Sequence, residues 1–339
     1  MSTSDNPACS VCIANYNGID MLGPCIDSVL AQDFNLPVEI IVHDDASTDE
    51  SVCFIRERYP TVKLITSRKN VGFCVSNNRM AEQASGEYLL LLNNDATLRP
   101  DALKTLYDFA ASQESPGILG LPEYDMDTGD LRNIGSFLDP FLNSVPNRSR
   151  KRREVGQIFG ACLWTPSRLW KELGGFPEWF GSFAEETYLC CLARLKGYSV
   201  TALPTSGYDH RVGGSFGGGG LVQGRMRTTY RRRALAERNK SFTLFICYPS
   251  PYLYAIFPLH LVLLAFEGAL VSCLKRDFTL WTHVYLNCFR ELWTNRGKLR
   301  RHRDVAQRDV KRRVSFFKEF TLIPHKLRVL AAHGLPRME

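Results

Sequence analysis

Four short apolar runs punctuate the first 115 residues, and helical spacing follows each of them. This alternation restricts the chain to a narrow class of folds. The runs at 8–14, 38–42, 62–65 and 88–92 have the length and composition of strands. Helical patterns cover 20–32 and 74–84. Another opens at 45–49, with Ser47 or Thr48 as a fitting N-cap, and Pro100 starts a fourth at the first-turn position that proline favours. Strand–helix–strand repetition with apolar strands predicts a mostly parallel sheet with helices on both faces. Ligands of such sheets bind beyond the carboxyl ends of the strands. The polar residues at those ends are therefore the first candidates: Asn15, Asn17, Asp44, Asp45, Arg68, Asn70, Asn93, Asn94 and Asp95.

The middle of the chain is less regular. Residues 122–154 hold turn signals at Asp127-Thr128-Gly129-Asp130 and Asp139-Pro140, and a basic cluster at 147–153. A strand is expected over 156–164, a helix over 183–196 stopped by Gly197, and a strand over 198–203. His210 then precedes a segment, 213–220, with six glycines, which suits a flexible loop over a site. Eleven cysteines are scattered and odd in number. Cys9 and Cys12 have no second Cys/His pair nearby to complete a zinc site, so buried reduced thiols and a cytoplasmic setting are expected. Residues 1–7 lack the basic and apolar regions of a signal peptide.

Several segments share order and spacing with one family. Val11-Cys-Ile-Ala-Asn-Tyr-Asn-Gly18, His43-Asp-Asp-Ala-Ser-Thr-Asp-Glu-Ser51, Asn70-Val-Gly-Phe73 with Asn77-Asn78, and Leu91-Leu-Asn-Asn-Asp-Ala-Thr97 resemble the glycosyltransferase family 2 signature. Gly160-Ala-Cys162, Gly174-Gly-Phe176, Phe183-Ala-Glu-Glu-Thr-Tyr-Leu189 and His210 resemble the second half of the same domain. The pattern is similar to the bacterial rhamnosyltransferase-like subgroup. The resemblance implies an α/β GT-A fold over residues 1–240. It also implies inverting, metal-dependent transfer of a sugar from a nucleotide-sugar donor, dTDP-rhamnose or a UDP-hexose. The acceptor would be a saccharide or a lipid-linked saccharide in cell-surface polysaccharide synthesis.

The chemistry gives these residues roles. A diphosphate leaving group accumulates negative charge, which Mg²⁺ or Mn²⁺ can neutralise, and Mn²⁺ also accepts imidazole. By resemblance Asp95 is the carboxylate ligand and His210 joins the metal or the diphosphate. Asn93 stands where many relatives carry a first Asp. One of Asp44 and Asp45 is expected to accept from a pyrimidine N3–H, although Asp45 also suits a helix cap. Arg68 is placed for base or phosphate, or simply for solvent. Asn15, Asn17, Asn70, Gly72, Asn77, Asn93 and Asn94 complete the donor set. The acidic pair Glu185-Glu186 maps to the general base, with Glu186 preferred, although both also suit the positive end of a helix. Tyr188 and Leu192 depart from the acidic residue and the Arg common in the family. Trp164, Trp179 and Phe180 are candidates for stacking on an acceptor sugar as well as for the core. A non-catalytic nucleotide-sugar-binding or scaffold protein is the rival reading. A nucleotidyltransferase would instead show a Gly-rich phosphate loop after the first strand.

The net charge of +7 is concentrated late in the chain: residues 290–337 hold fourteen Lys/Arg against four Asp/Glu. Before them, 242–274 is strongly apolar but broken by Pro249, Pro251, Pro258, His260 and Glu267. Its uninterrupted stretch is thus shorter than the roughly 20 residues a spanning helix needs. Apolar residues beside a basic face imply an interfacial region on anionic lipid over 241–339, at the cytoplasmic face of an inner membrane. No nucleic-acid module is visible.

Overall fold

The structure is a computed structural model that describes residues 6–211, 221–222, 225–308, 310, 315–322, 324–333 and 337–338. The glycine-rich segment 213–220 lies outside the described residues. The chain forms two compact units. The first comprises Met1–Ser136, Pro146–Ser182 and Tyr198–Arg211, and the second comprises Phe137–Val145, Phe183–Gly197 and Val212–Glu339.

The first half alternates as its pattern predicts. The order is β1 (Cys9–Asn15), α1 (Ile19–Leu30), β2 (Val38–Asp44), α2 (Ser51–Arg58), β3 (Lys63–Thr66), α3 (Phe73–Gln83), β4 (Tyr88–Asn93), β5 (Ala96–Leu98) and α4 (Ala102–Ala111). Short strands follow: β6 (Ile118–Gly120), β7 (Glu123–Asp125), β8 (Leu131–Asn133), β9 (Ser136–Leu138) and β10 (Ser144–Pro146). Then come β11 (Cys162–Pro166), α5 (Ser167–Leu173), α6 (Glu185–Leu195), β12 (Val200–Ala202) and β13 (Tyr208–His210). The main sheet has the order β12-β6-β11-β4-β1-β2-β3. Its pairs are parallel except where β11 runs antiparallel to β4 and β6. Cys9, Val11 and Ile13 join one core with Leu22, Ile26 and Val29 of α1 and Leu103 and Leu106 of α4. Cys12 is buried on the opposite side of the strand, as its period of two requires. Burial pushes the Cys9 and Cys12 thiols well up, so neither is a reactive thiolate.

Two local expectations change. First, α2 begins at Ser51, and neither Ser47 nor Thr48 caps it. The Asp44 carboxylate takes the Ser47 N–H (2.9 Å) and hydroxyl (2.6 Å), which holds 45–50 as a loop. Second, the strand expected over 156–164 forms only from Cys162. Residue 157 makes one isolated bridge to Ser136. Of the aromatics open to either role, Trp164 and Phe180 are fully buried, as core packing requires, and Trp164 stacks on Tyr88 at 5.0 Å. The turn expected at 127–130 does form. It joins β7 to β8, with Asp125 Oδ1 accepting the N–H of Asp127 and of Thr128.

The second unit is helical: α6, α7 (Tyr230–Cys247), α8 (Tyr252–Lys275), α9 (Phe278–Leu280), a π-helical segment Trp281–Leu286, α10 (Asn287–Thr294), α11 (Arg296–Ala306) and α12 (His325–His333). Pro249 and Pro251 do break the apolar stretch, between α7 and α8, but Pro258, His260 and Glu267 do not. Its 24-residue helix α8 is long and apolar enough to cross a membrane by length and composition. Pro258 lies early in α8 and forfeits only its own bond to the residue 254 carbonyl. The expected interrupters His260 and Glu267 point inward. His260 Nε2 meets Ser241 Oγ at 2.8 Å, and Glu267 pairs with Arg233 at 2.8 Å and Lys326 at 2.7 Å. Buried Glu237 completes this network, 2.7 Å from Lys240 and 2.6 Å from Lys326. Breaking one partner of such a buried set costs about 3–5 kcal/mol.

Candidate active site

In the first unit the ends of β1, β2 and β4 carry one connected polar network. Asn15 Nδ2 donates to Asp44 Oδ2 (2.9 Å), and Asn15 Oδ1 accepts from Asn94 Nδ2 (2.8 Å). Asn15 thereby ties the second strand's acid to the turn after the fourth strand. Asp45 spans outward, its two oxygens accepting the Val71 N–H (2.7 Å) and the Gly72 N–H (2.8 Å). Asn17 accepts the Thr48 N–H at 2.7 Å. Two non-glycine residues here, Asn17 (φ 49°) and Ala46 (φ 65°), adopt the left-handed region. Each such residue costs on the order of 1–3 kcal/mol and persists only where its surroundings impose it.

Gly18 is required by this close approach. A Cβ there would lie 2.1 Å from Asn94 Nδ2 and 2.6 Å from Asn15 Oδ1. Gly18→Ala must therefore break the Asn15–Asn94 bond or displace α1. The variant is expected to lose about 1–3 kcal/mol, seen as a lower urea midpoint with unchanged slope. An unchanged midpoint would mean that the amide swings aside freely.

The candidate metal residues also meet. The turn after β4 presents Asp95, and β5 pairs antiparallel with β13, placing Ala96 opposite His210. His210 Nε2 lies 3.1 Å from Asp95 Oδ1, and Nδ1 lies 2.8 Å from Glu123 Oε1. Glu123 is buried and accepts a further hydrogen bond from Asn133. Burial opposes a charge on the imidazole. The hydrogen bonds to Asp95 and Glu123, with their charges, outweigh it and hold the His210 pKa at about 9. Glu123 carries no motif that singles it out in the sequence. It sits in the irregular middle stretch and reaches His210 only because β7 runs beside β13.

This donor set suits a divalent cation. One carboxylate oxygen and one imidazole nitrogen are adjacent, and a carboxylate on Nδ1 directs Nε2 toward the ligand position, an arrangement common behind metal-bound histidine. Mn²⁺ accepts such a mixed pair, whereas Mg²⁺ prefers oxygen alone. Among the described residues no group of three His, Cys, Asp or Glu could hold a metal by itself. A cation here would draw its remaining ligands from elsewhere.

The other candidates are placed as follows. Arg68 and Asn70 are exposed, and Asn93 is half-buried. Gly72 has φ 92°, a conformation that suits glycine alone. Asn77 is buried in α3, where it donates to the Phe73 carbonyl at 2.9 Å and supports the helix.

Glu185 and Glu186 lie in the second unit, in the first turn of α6. Phe183 (φ 70°) and Ala184 (φ 61°) are consecutive left-handed residues immediately before them, an unusual local cost at one position. Asn239 donates to the Phe183 carbonyl at 2.8 Å and helps hold this bend. Burial, then the neighbouring Glu186 charge, pushes the Glu185 carboxyl well above the carboxylate range. Burial also raises Glu186, opposed by hydrogen bonds from its own backbone and from the Glu185 side chain and then by the Arg232 charge. The two carboxyls interact closely and titrate as a pair. Tyr188 and Leu192 are buried in the same helix.

A family model described as glycosyl transferase family 2 matches residues 10–165. An uncharacterized glycosyltransferase, YibD of Escherichia coli, is 34% identical over 108 residues, covering 31% of each chain. The N-acetylglucosaminyl-diphospho-decaprenol L-rhamnosyltransferase of Mycobacterium tuberculosis is 25% identical over 211 residues, covering 53% of this chain and 69% of that protein. Among solved structures, GalNAc-T7 with UDP, GalNAc and Mn²⁺ superposes with a TM-score of 0.57 at 15% identity, over 71% of this chain and 49% of that one. That likeness shows a GT-A fold. With the strand order and the positions of its acidic residues, residues 10–165 are a glycosyl transferase family 2 domain.

Proposed function

We propose that the chain transfers a sugar, with inversion, from a nucleoside diphosphate sugar to a saccharide or lipid-linked saccharide. The carrying observation is His210 held between Glu123 and Asp95 at the end of the sheet. Such a pair of ligands suits a diphosphate leaving group. All donor, metal and base candidates fall within residues 1–240, to which we assign the transfer chemistry; residues 241–339 carry the apolar helix and basic surface.

In this reading Asp44, Asn15 and Asn94 shape the floor on which the donor sits. The second lone pair of an Asp44 or Asp45 oxygen remains available to a pyrimidine N–H. Gly72 keeps the loop after Asn70 close to the nucleotide. Glu186 takes the proton of the acceptor hydroxyl while that oxygen attacks the anomeric carbon. The bond to the diphosphate breaks, and the nucleoside diphosphate leaves. A divalent cation, Mg²⁺ or Mn²⁺, would be held by Asp95 and His210 and would neutralise the charge on the leaving diphosphate.

The donor we favour is dTDP-rhamnose or a UDP-hexose, and the product part of a cell-surface polysaccharide. The mycobacterial relative, by its name, acts on a lipid diphosphate-linked sugar. This supports a lipid-linked acceptor, and we assign the transfer to the cytoplasmic face of an inner membrane. Thermal unfolding with each nucleotide sugar, with and without Mn²⁺ or Mg²⁺, tests the reading. At 100 times Kd the true donor is expected to add about 2.7 kcal/mol of stability, and the gain should depend on the cation. No stabilisation by any nucleotide sugar would overturn the proposal. Stabilisation without turnover on any saccharide acceptor would favour a binding-only protein.

A further inference from the structure

The helix α8 is about 36 Å long at 1.5 Å per residue, enough to cross the roughly 30 Å of a bilayer's hydrocarbon. Length therefore does not decide how it meets a membrane, but its two sides do. The protein-facing side carries the polar groups. His260 bonds Ser241, and Glu267 is paired with Arg233 and Lys326 and accepts from Tyr285 at 3.2 Å. Gly268 lets this side press onto the π-helical segment, since a Cβ there would meet Tyr285 Cγ at 2.5 Å and Trp281 Cζ3 at 2.9 Å.

The opposite side is apolar from end to end. Tyr254, Val262, Leu263, Phe266, Leu270 and Leu274 are all exposed, Tyr254 by 74% and Phe266 by 65%. No exposed position between Tyr252 and Leu274 carries a charge or an amide. Water-facing helices of globular proteins have the reverse arrangement, with polar residues outward. A contiguous face of this size marks an interaction site.

We propose that α8 lies in the plane of an anionic lipid surface, its apolar side sunk in the acyl boundary and its polar side clamped to the protein, and that it does not cross the bilayer. The proposal rests on the membrane location proposed for the acceptor and deepens it. A crossing helix would carry Glu267, residue 16 of 24, into the hydrocarbon. It would have to take Arg233 and Lys326 along or abandon both pairs, and each central charge is costly. Lying in the plane keeps the clamp and covers the apolar side. The exposed charge of the same helical unit favours anionic lipid. The exposed charged residues of 252–306 are Arg276, Arg290, Arg296, Arg300 and Arg301 against Asp304 alone. Trp293 is 71% exposed, with the Arg296 guanidinium 4.6 Å from its ring centre, and this pair suits the headgroup layer.

Two measurements on the full chain test this. In the first, the protein is floated with phosphatidylcholine vesicles, with and without phosphatidylglycerol. Binding is expected to need phosphatidylglycerol and to fall with salt. The double variant Val262→Asp/Phe266→Asp is expected to lose binding about tenfold or more, with its circular dichroism and its donor-induced thermal shift unchanged. The milder Phe266→Ser variant, expected to lose binding partially, serves if the double variant misfolds. In the second, protease is added to sealed membrane vesicles from expressing cells, with the chain tagged at both ends. In-plane seating predicts that the two tags share one fate. One tag protected and the other digested would overturn in-plane seating but keep the membrane location. No vesicle binding, with a donor-induced thermal shift intact, would overturn the membrane reading and leave sugar transfer standing. A dimer in solution that binds no vesicles, and that the double variant dissociates, would make a second copy the occupant and also overturn the proposal.

Discussion

Glu186→Gln is expected to lower kcat by about 10²–10⁴-fold, the usual contribution of a general base, while the donor-induced thermal shift stays as in the wild type. Gln keeps the shape of Glu and removes only the ability to take a proton. The backbone bend at Phe183 and Ala184 should therefore survive the exchange. The partner variant separates the two carboxyls. Glu185→Gln removes the neighbouring carboxyl but leaves Glu186 able to take a proton, so it should retain far more activity. The pH profile gives a second readout. Burial raises the Glu186 pKa above its ordinary value. A base must be ionised, so kcat should fall as pH drops through that raised pKa, and the limb should disappear in Glu186→Gln. A wild-type rate in that variant would remove Glu186 from the mechanism.

Asp95→Asn is expected to raise the Mn²⁺ concentration for half-maximal turnover more than about 100-fold, since an anionic ligand of the cation is lost. Glu123→Gln is expected to raise it about 10–100-fold, the range for groups that orient a metal-bound histidine. Paramagnetic resonance of free Mn²⁺, titrated in the presence of UDP, reads the same losses without turnover. The two variants differ in kind. Asp95→Asn removes a ligand, whereas Glu123→Gln leaves both ligands and loosens only the imidazole. If Mn²⁺ binds Asp95→Asn as it binds the wild type, the cation lies elsewhere.

Much of the donor side is legible in the amino-acid order. Parallel strands end in polar residues because their apolar parts must be buried on both faces, and the ends are where the chain turns. Asp44, Asp45 and Asp95 fall at such ends, and their motifs follow one another in a readable order. The failures have local physical causes. Ser47 resembles a cap, but the Asp44 carboxylate takes its N–H and hydroxyl and delays the helix to Ser51. His260 and Glu267 look like interruptions of an apolar run. They are tolerated in a 24-residue helix because Ser241, Arg233 and Lys326, on other helices, satisfy them. Trp164, open to a core role as well as a stacking one, is settled only by its strand, which lies inside the sheet against Tyr88.

The amino-acid order alone determined the strand–helix alternation of the first 115 residues and the family resemblance, because apolar periodicity and motif spacing are properties of neighbouring residues. Only the tertiary structure decided that His210 meets Asp95 across 115 positions and Glu123 across 87. It alone decided which side of α8 is covered. Those outcomes depend on which strands lie side by side and which helix faces find partners, and no local pattern encodes that pairing.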